Sequence, residues 1–252
     1  PRIGQGYNEK TLGSGFSSAT AIRNHIRSRW PVPGKEHALA GFSGQNVLPD
    51  ADLDSFCAIF PDLTGNMPES SLKILEAEFK EGRGPVFPQD FEKILLYRLR
   101  TATVQELQAL PYMEEGLHNR LKQASLSCAT LDEVLNYCTT IRYPRARISR
   151  ALCALLLGMT DSFLAELKEN GYAQYIRVLG FNEKGRKLLA AARKKATLPI
   201  ITKPASYKKL ENPLARRLFE HEIRITDVYC LAYKKPEFNR GGLELTTPPV
   251  MV

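Results

Sequence analysis

The chain has 252 residues, 43% of them hydrophobic, and a formal net charge of +8. That apolar content suffices for a full core and for one or two domains, while no apolar run approaches the ~18 residues of a membrane span and nothing at the start reads as a signal peptide. The five cysteines, Cys57, Cys128, Cys138, Cys153 and Cys230, are odd in number and widely spaced without a C-x-x-C pair. They argue against a disulfide framework or a zinc site and fit a reducing, cytoplasmic setting.

Residues 1–30 are predicted as a strand, a loop rich in glycine (Gly4, Gly6, Gly13, Gly15) and a helix. The run Ser17-Ser18-Ala19-Thr20-Ala21-Ile22-Arg23 opens that helix. Its three hydroxyls lie beside the unpaired N–H groups of a first helical turn, where the helix dipole also favours negative charge. Arg23, one turn further in, can take phosphate oxygens in a two-pronged contact. A plain Ser/Thr-capped surface helix is the competing reading. Residues 31–66 read as a linker or insertion, given Pro31, Pro33, Gly34, Gly41, Gly44 and Pro49. Asp50, Asp52 and Asp54 alternate like the start of a calcium loop. Ser55 and Pro61, however, stand where glycine and glutamate would be required.

Beyond Gly65 the period is helical. Leu72, Leu75, Ala77 and Phe79 predict a short helix after Met67-Pro68, and Phe91, Ile94, Leu95 and Leu99 predict a second. Thr103 with Glu106 and Thr130 with Glu133 are capping boxes that start helices over 103–110 and 130–139. Residues 115–127 are helical between them. Ile148, Leu152, Leu155 and Leu156 mark a helix ended by Gly158, in which Cys153 is read as a core residue. A helix over 161–170 closes at Gly171, extended segments 176–179 and 198–202 flank a helix over 183–196, and a last helix spans 213–230. Residues 234–252 read as an irregular tail.

The charge is unevenly placed. Residues 140–209 hold 15 Lys and Arg against 4 Asp and Glu, and the remainder is close to neutral. So one-sided a block reads as a footprint for a polyanion, nucleic acid first, with an ordinary basic surface as the next reading and acidic lipid or protein after it. Arg142, Arg145, Arg147 and Arg150 surround Tyr143, and Arg186, Lys187, Arg193 and Lys194 form a second stripe opposite Leu188, Leu189 and Ala192. Tyr143, Tyr172 and Tyr175 offer planes on which unpaired bases could stack, with core packing as the competing role. His221-Glu222 lacks the second histidine of a zinc-protease helix, and no nucleophile and base stand at a telling spacing.

Several ordered segments carry a resemblance. Pro1 to Glu9 and Phe16 to Arg23, then Met67-Pro68-Glu69-Ser70, Gly82-Arg83-Gly84-Pro85-Val86, Leu95 to Arg100, Glu115 to Leu121, Arg142-Tyr143, Tyr175 to Phe181 and Thr246 to Val250 resemble the second half of the bacterial tRNA(Met) cytidine acetate ligase family. The resemblance implies an enzyme that activates acetate with ATP, as acetyl-adenylate, and acetylates the wobble cytidine of elongator tRNA(Met). It implies ATP contacts at Arg2, Ile3, Ser17, Ser18, Thr20 and Arg23, with ATP as a substrate accompanied by Mg2+, and no metal bound by the protein itself. Its partners would be tRNA and acetate and not a membrane; the oligomeric state stays open.

The family's H-x-G-H signature does not occur here, and His25, His37, His118 and His221 are scattered. The expectation is therefore the C-terminal portion of a longer enzyme, inactive toward ATP by itself. Its fold would be mainly α: the end of an α/β, Rossmann-like nucleotidyltransferase domain (1–30), a linker (31–66) and a helical tRNA-binding domain (67–252). Two other readings remain, a non-catalytic RNA-binding helical module and a nucleotidyltransferase acting on a small metabolite.

Overall fold

The computed structural model describes residues 6, 9–13, 15–29 and 60–251. Arg2, Ile3, His37, Cys57, the Asp50 to Asp54 run and the strand expected before the first helix lie outside them. The chain divides into two units, Pro1–Phe87 with Tyr233–Lys235, and Pro88–Ala232 with Pro236–Val252.

In the first unit, α1 (Ala19–Arg29) buries Ala21 and Ile26, and α2 (Glu69–Lys80) buries Phe79. Ile26 and Phe79 join Phe60 and Leu63 in a small core, against which Ile22, Leu72 and Leu75 pack. The Gly-Arg-Gly-Pro motif after α2 is there for close approach. Gly82 has φ +72°, and a Cβ on it would lie 2.5 Å from Lys235 Cγ; a Cβ on Gly84 would meet the Phe79 ring at 2.7 Å. Only glycine fits both demands. Arg83 between them bonds Glu78 at 2.6 Å, and the Lys234 N–H donates to the Gly82 carbonyl at 2.9 Å.

The second unit starts with α3 (Glu92–Thr101), α4 (Val104–Gln108), α5 (Leu117–Ser127), α6 (Leu131–Cys138) and α7 (Arg145–Leu157). Their apolar stripes meet in one core that includes Leu95, Leu99, Leu107, Leu117, Leu121, Val134, Ile148 and Leu155. Thr103 forms the reciprocal box expected of it with Glu106. Thr130 accepts from the Glu133 N–H, but the Glu133 carboxylate takes the Ala129 N–H at 2.8 Å, one residue earlier than a capping box would. Gly158, with φ +66°, ends α7, and α8 (Asp161–Glu169) follows. Cys153 is exposed, not in the core: Leu152, Ala154 and Leu155 around it are buried, which leaves position 153 on the outer face of α7.

The last part combines β1 (Ile176–Arg177), β2 (Gly180–Phe181), α9 (Glu183–Ala192), β3 (Ile200–Ile201), α10 (Pro213–Cys230), α11 (Leu243–Thr246) and β4 (Val250–Met251). β1 pairs in parallel with β3 and β2 with β4. Strands of two residues hold little by themselves, and order comes from the side chains around them. Ile201, Tyr207, Leu210, Ala215 and Phe219 form a core on which Tyr175 and Leu245 rest. The expectation of an irregular tail is corrected here. Residues 242–251 carry a short helix and a strand because Asp227 accepts the Gly242 N–H at 2.7 Å, Leu245 enters that core, and Thr226 and Arg177 bond the Glu244 carboxylate.

The chain is thus mainly helical. No single helix among the described residues is long and apolar enough to cross a membrane.

Candidate nucleotide and nucleic-acid surfaces

At the mouth of α1 the sequence puts three hydroxyls and an arginine within seven residues, and the structure gives them different tasks. Ser18 is the cap: its Oγ accepts the Ala21 N–H at 3.0 Å and donates to the Glu9 carbonyl at 2.7 Å. Ser17 Oγ accepts the Gly13 N–H at 3.0 Å and donates to Asn66 Oδ1 at 2.5 Å, while its own N–H donates to the Asn66 carbonyl. A hydroxyl has one proton. Both serines have given theirs to the protein, so they shape the glycine-rich loop and have none left for a phosphate oxygen. Thr20 and Arg23 take no part in these bonds, and Arg23 is exposed. No acid stands in the first turn of α1 to neutralise its positive end, and the cations Arg27 and Arg29 sit in its last turn. Arg2 and Ile3 lie outside the described residues.

Asn66 was not legible as Ser17's partner, since the two are 49 residues apart. Asp62 is a second hidden neighbour. It pairs with Arg29 at 2.7 Å and stands 3.8 Å from His25 Nε2. Burial, and then Arg29, lower the His25 pKa from its ordinary 6.5, with Asp62 opposing.

The arginines around Tyr143 also divide. Arg147 fastens the loop before α5: it bonds Glu114 at 2.7 Å and Glu115 at 3.1 Å, and donates to the Tyr112 and Glu114 carbonyls. Tyr112 and Glu115 both have positive φ, so those contacts hold a backbone that neither side chain favours. Arg145 bonds Asp132 and Asn136, each at 2.9 Å. Tyr143 is only 8% exposed, lies under the Arg147 guanidinium at 5.5 Å and donates its hydroxyl to the Glu115 carbonyl. Its burial corrects the expectation of a stacking platform. Arg142 and Arg150 are exposed and have no acidic partner among the described residues.

On α9, Arg186 pairs with Glu183 at 2.9 Å, and just past its end Arg193 donates to Thr202 Oγ1 at 3.1 Å. Lys187 and Lys194 are exposed without an acidic partner among the described residues. Leu188 is 70% exposed and so does not pack inward as the stripe pattern implied, although Leu189 and Ala192 are half-buried. Tyr172 is exposed at φ +61°, whereas Tyr175 is half-buried with its hydroxyl donating to Glu222 at 2.6 Å.

Two cations outside the basic block act as helix fasteners. Lys122 donates to the carbonyls of Leu99, Arg100 and Ala102 at the end of α3, at 3.3, 2.9 and 2.7 Å. Arg120 donates to the Tyr137 carbonyl near the end of α6 at 3.0 Å and stands over the Tyr137 ring. Among the described residues, no group of three or more His, Cys, Asp or Glu side chains is placed to hold a metal ion.

The model of the HIGH Nucleotidyl Transferase family matches residues 1–243. The chain belongs to that family. Among its relatives is the tRNA(Met) cytidine acetate ligase of Acetivibrio thermocellus, 34% identical over 97% of this chain and 53% of that protein. Another is the tRNA(Met) cytidine acetate ligase of Caldanaerobacter subterraneus subsp. tengcongensis, 42% identical over 67% of this chain and 40% of that protein. The crystal structure of apo Thermotoga maritima TmcAL superposes with a TM-score of 0.83 at 26% identity, covering 100% of this chain and 54% of its own. Its form bound with alpha-thio ATP gives 0.78 at 27%, covering 95% and 53%. The chain spans about half the length of the curated relatives it matches.

Proposed function

We propose that this chain is part of a tRNA(Met) cytidine acetate ligase, with the mouth of α1 at the edge of the ATP site and the second unit as the tRNA-binding portion. In such a reaction an acetate oxygen attacks the α-phosphorus of ATP, pyrophosphate leaves, and acetyl-adenylate forms. The exocyclic amine of the wobble cytidine then attacks the acetyl carbonyl, loses a proton and releases AMP. Thr20 and Arg23 are the side chains of the 17–23 run left to meet phosphate oxygens. Ser17 and Ser18 hold the loop that brings them there. This assignment is in keeping with relatives bearing that name and with the ATP analogue in the Thermotoga maritima structure.

The observation that carries the RNA half is the set Arg142, Arg150, Lys187 and Lys194, exposed and without acidic partners among the described residues. Cations that the protein has not already neutralised are the ones that release counterions on meeting a phosphate backbone. The test is transfer of labelled acetate to an elongator tRNA(Met) transcript by the full-length protein in the presence of ATP. Label in the cytidine at the wobble position is the expected result. Failure to label the transcript, alongside adenylation of a small metabolite, would replace this reading by that of a metabolite nucleotidyltransferase.

A further inference from the structure

The connection between α6 and α7 is a tight turn with an apolar tip. The Thr140 N–H donates to the Tyr143 carbonyl at 3.1 Å, and the Tyr143 N–H donates to Thr140 Oγ1 at 3.0 Å. Below the turn Tyr143 is anchored in the core with its hydroxyl on the Glu115 carbonyl. The two residues between these clamps, Ile141 and Arg142, project outward. Ile141 is fully exposed at 105%, more than any other large hydrophobic among the described residues. An isoleucine left in water forgoes about 1.5–3 kcal/mol of burial, and its β-branched side chain has little rotamer freedom to lose on contact. It is a preformed apolar probe.

Its surroundings indicate what it meets. Of the four arginines within residues 134–160, Arg145 and Arg147 are paired with acids, but Arg142 in the turn itself and Arg150 are exposed without an acidic partner among the described residues, so a phosphate-bearing partner is favoured over an ordinary protein surface. Apolar side chains that enter nucleic acid do so as wedges at unstacked base steps, and unpaired RNA loops offer splayed bases for such contact.

Resting on the RNA reading above, we propose that the 140–143 turn is a base-contacting wedge. Ile141 packs on the face of an unpaired base and Arg142 bonds the adjoining phosphate. The clamped backbone of the turn is not reorganised on binding, so the contact forms without the ordering cost of a mobile loop, and only the Arg142 side chain gives up rotamer freedom.

The experiment uses the full-length protein and an elongator tRNA(Met) transcript. Ile141→Ala is expected to weaken transcript binding about fivefold with an unchanged salt slope, and to leave binding to a fully duplexed RNA of equal length unaltered. Arg142→Ala is expected to reduce the slope by about 0.7–0.9. A photo-crosslinker at position 141 is expected to attach to an unpaired nucleotide. Crosslinking to a second copy of the chain, or equal transcript affinity of Ile141→Ala and the parent, overturns the wedge and leaves the RNA reading standing. A parent protein that does not bind the transcript overturns both.

Discussion

Arg177 pairs with Glu244, tying β1 to α11 across 67 residues of sequence. Its other arm bonds Glu222 at 2.8 Å, and its guanidinium lies over the Phe219 ring at 5.3 Å. Tyr175 donates to Glu222 and Thr226 to Glu244, so each carboxylate has two donors. Burial, then the bond to Glu222, raises the Tyr175 pKa, which keeps its hydroxyl a donor. Removing the arginine takes a charged donor from two half-buried carboxylates. Arg177→Ala is expected to cost about 2–3 kcal/mol in urea denaturation and to speed proteolysis within 236–249. Arg177→Lys, which keeps the charge without the fork, restores only part. An unchanged urea midpoint in Arg177→Ala would contradict this role.

Arg147 and Arg150, three residues apart on α7, are expected to respond in opposite ways. Arg150→Glu leaves the melting temperature unchanged and weakens tRNA binding, with a salt slope smaller by about 0.7–0.9 per lost phosphate contact. Arg147→Glu faces Glu114 and Glu115 with a third acid and releases the loop before α5. Its expected cost is about 2 kcal/mol or more of stability. Gel shift across a salt series and thermal melting of both variants separate the two outcomes.

In the first unit the serine and the arginine of the 17–23 run divide in the same manner. Ser18→Ala removes a helix cap and is expected to destabilise by about 1 kcal/mol. Arg23→Ala touches no internal bond among the described residues. If Arg23 meets a phosphate, ATP affinity falls about tenfold, the worth of one charge-assisted hydrogen bond, while stability stays at the parent value. Calorimetric titration with ATP reads the first effect and a urea midpoint the second.

His221 gives a pH signature. Its ring stacks on Phe163 with centroids 4.6 Å apart, and burial, then Arg224 and Arg217, lower its pKa from the ordinary 6.5 against the opposing pull of Glu220. Well above pH 6.5 neither folded nor unfolded chain holds the proton and this histidine's contribution to stability is complete. As pH falls below that value the unfolded chain protonates first, and stability declines until the folded pKa is passed. The urea midpoint is expected to drop as pH falls through and below 6.5, and less so in His221→Gln. The variant keeps the matching loss from His25, in the other unit.

The helices were legible because their signals are local. Thr103 and Thr130 mark starts, Gly158 and Gly171 mark stops, and Leu95 and Leu99 recur at the helical period. The roles of individual cations were not legible, because they depend on distant partners. Arg147 and Arg150 look alike in the sequence, yet one meets two glutamates from 32 and 33 residues back and the other meets solvent. The same holds for the tail, whose order depends on Asp227 and Arg177, and for Ser17, whose proton goes to Asn66. Cys153 and Leu188 were misplaced for a different reason. A run of apolar residues does not say which member of a helical turn faces outward when its neighbours already fill the core.

The Lys122 ammonium also gives a clock for local opening. With its three donors directed at the Leu99, Arg100 and Ala102 carbonyls, it is withheld from amine-directed reagents while the end of α3 stays closed. Its acylation rate relative to freely exposed lysines such as Lys187 therefore measures how often that helix end frays.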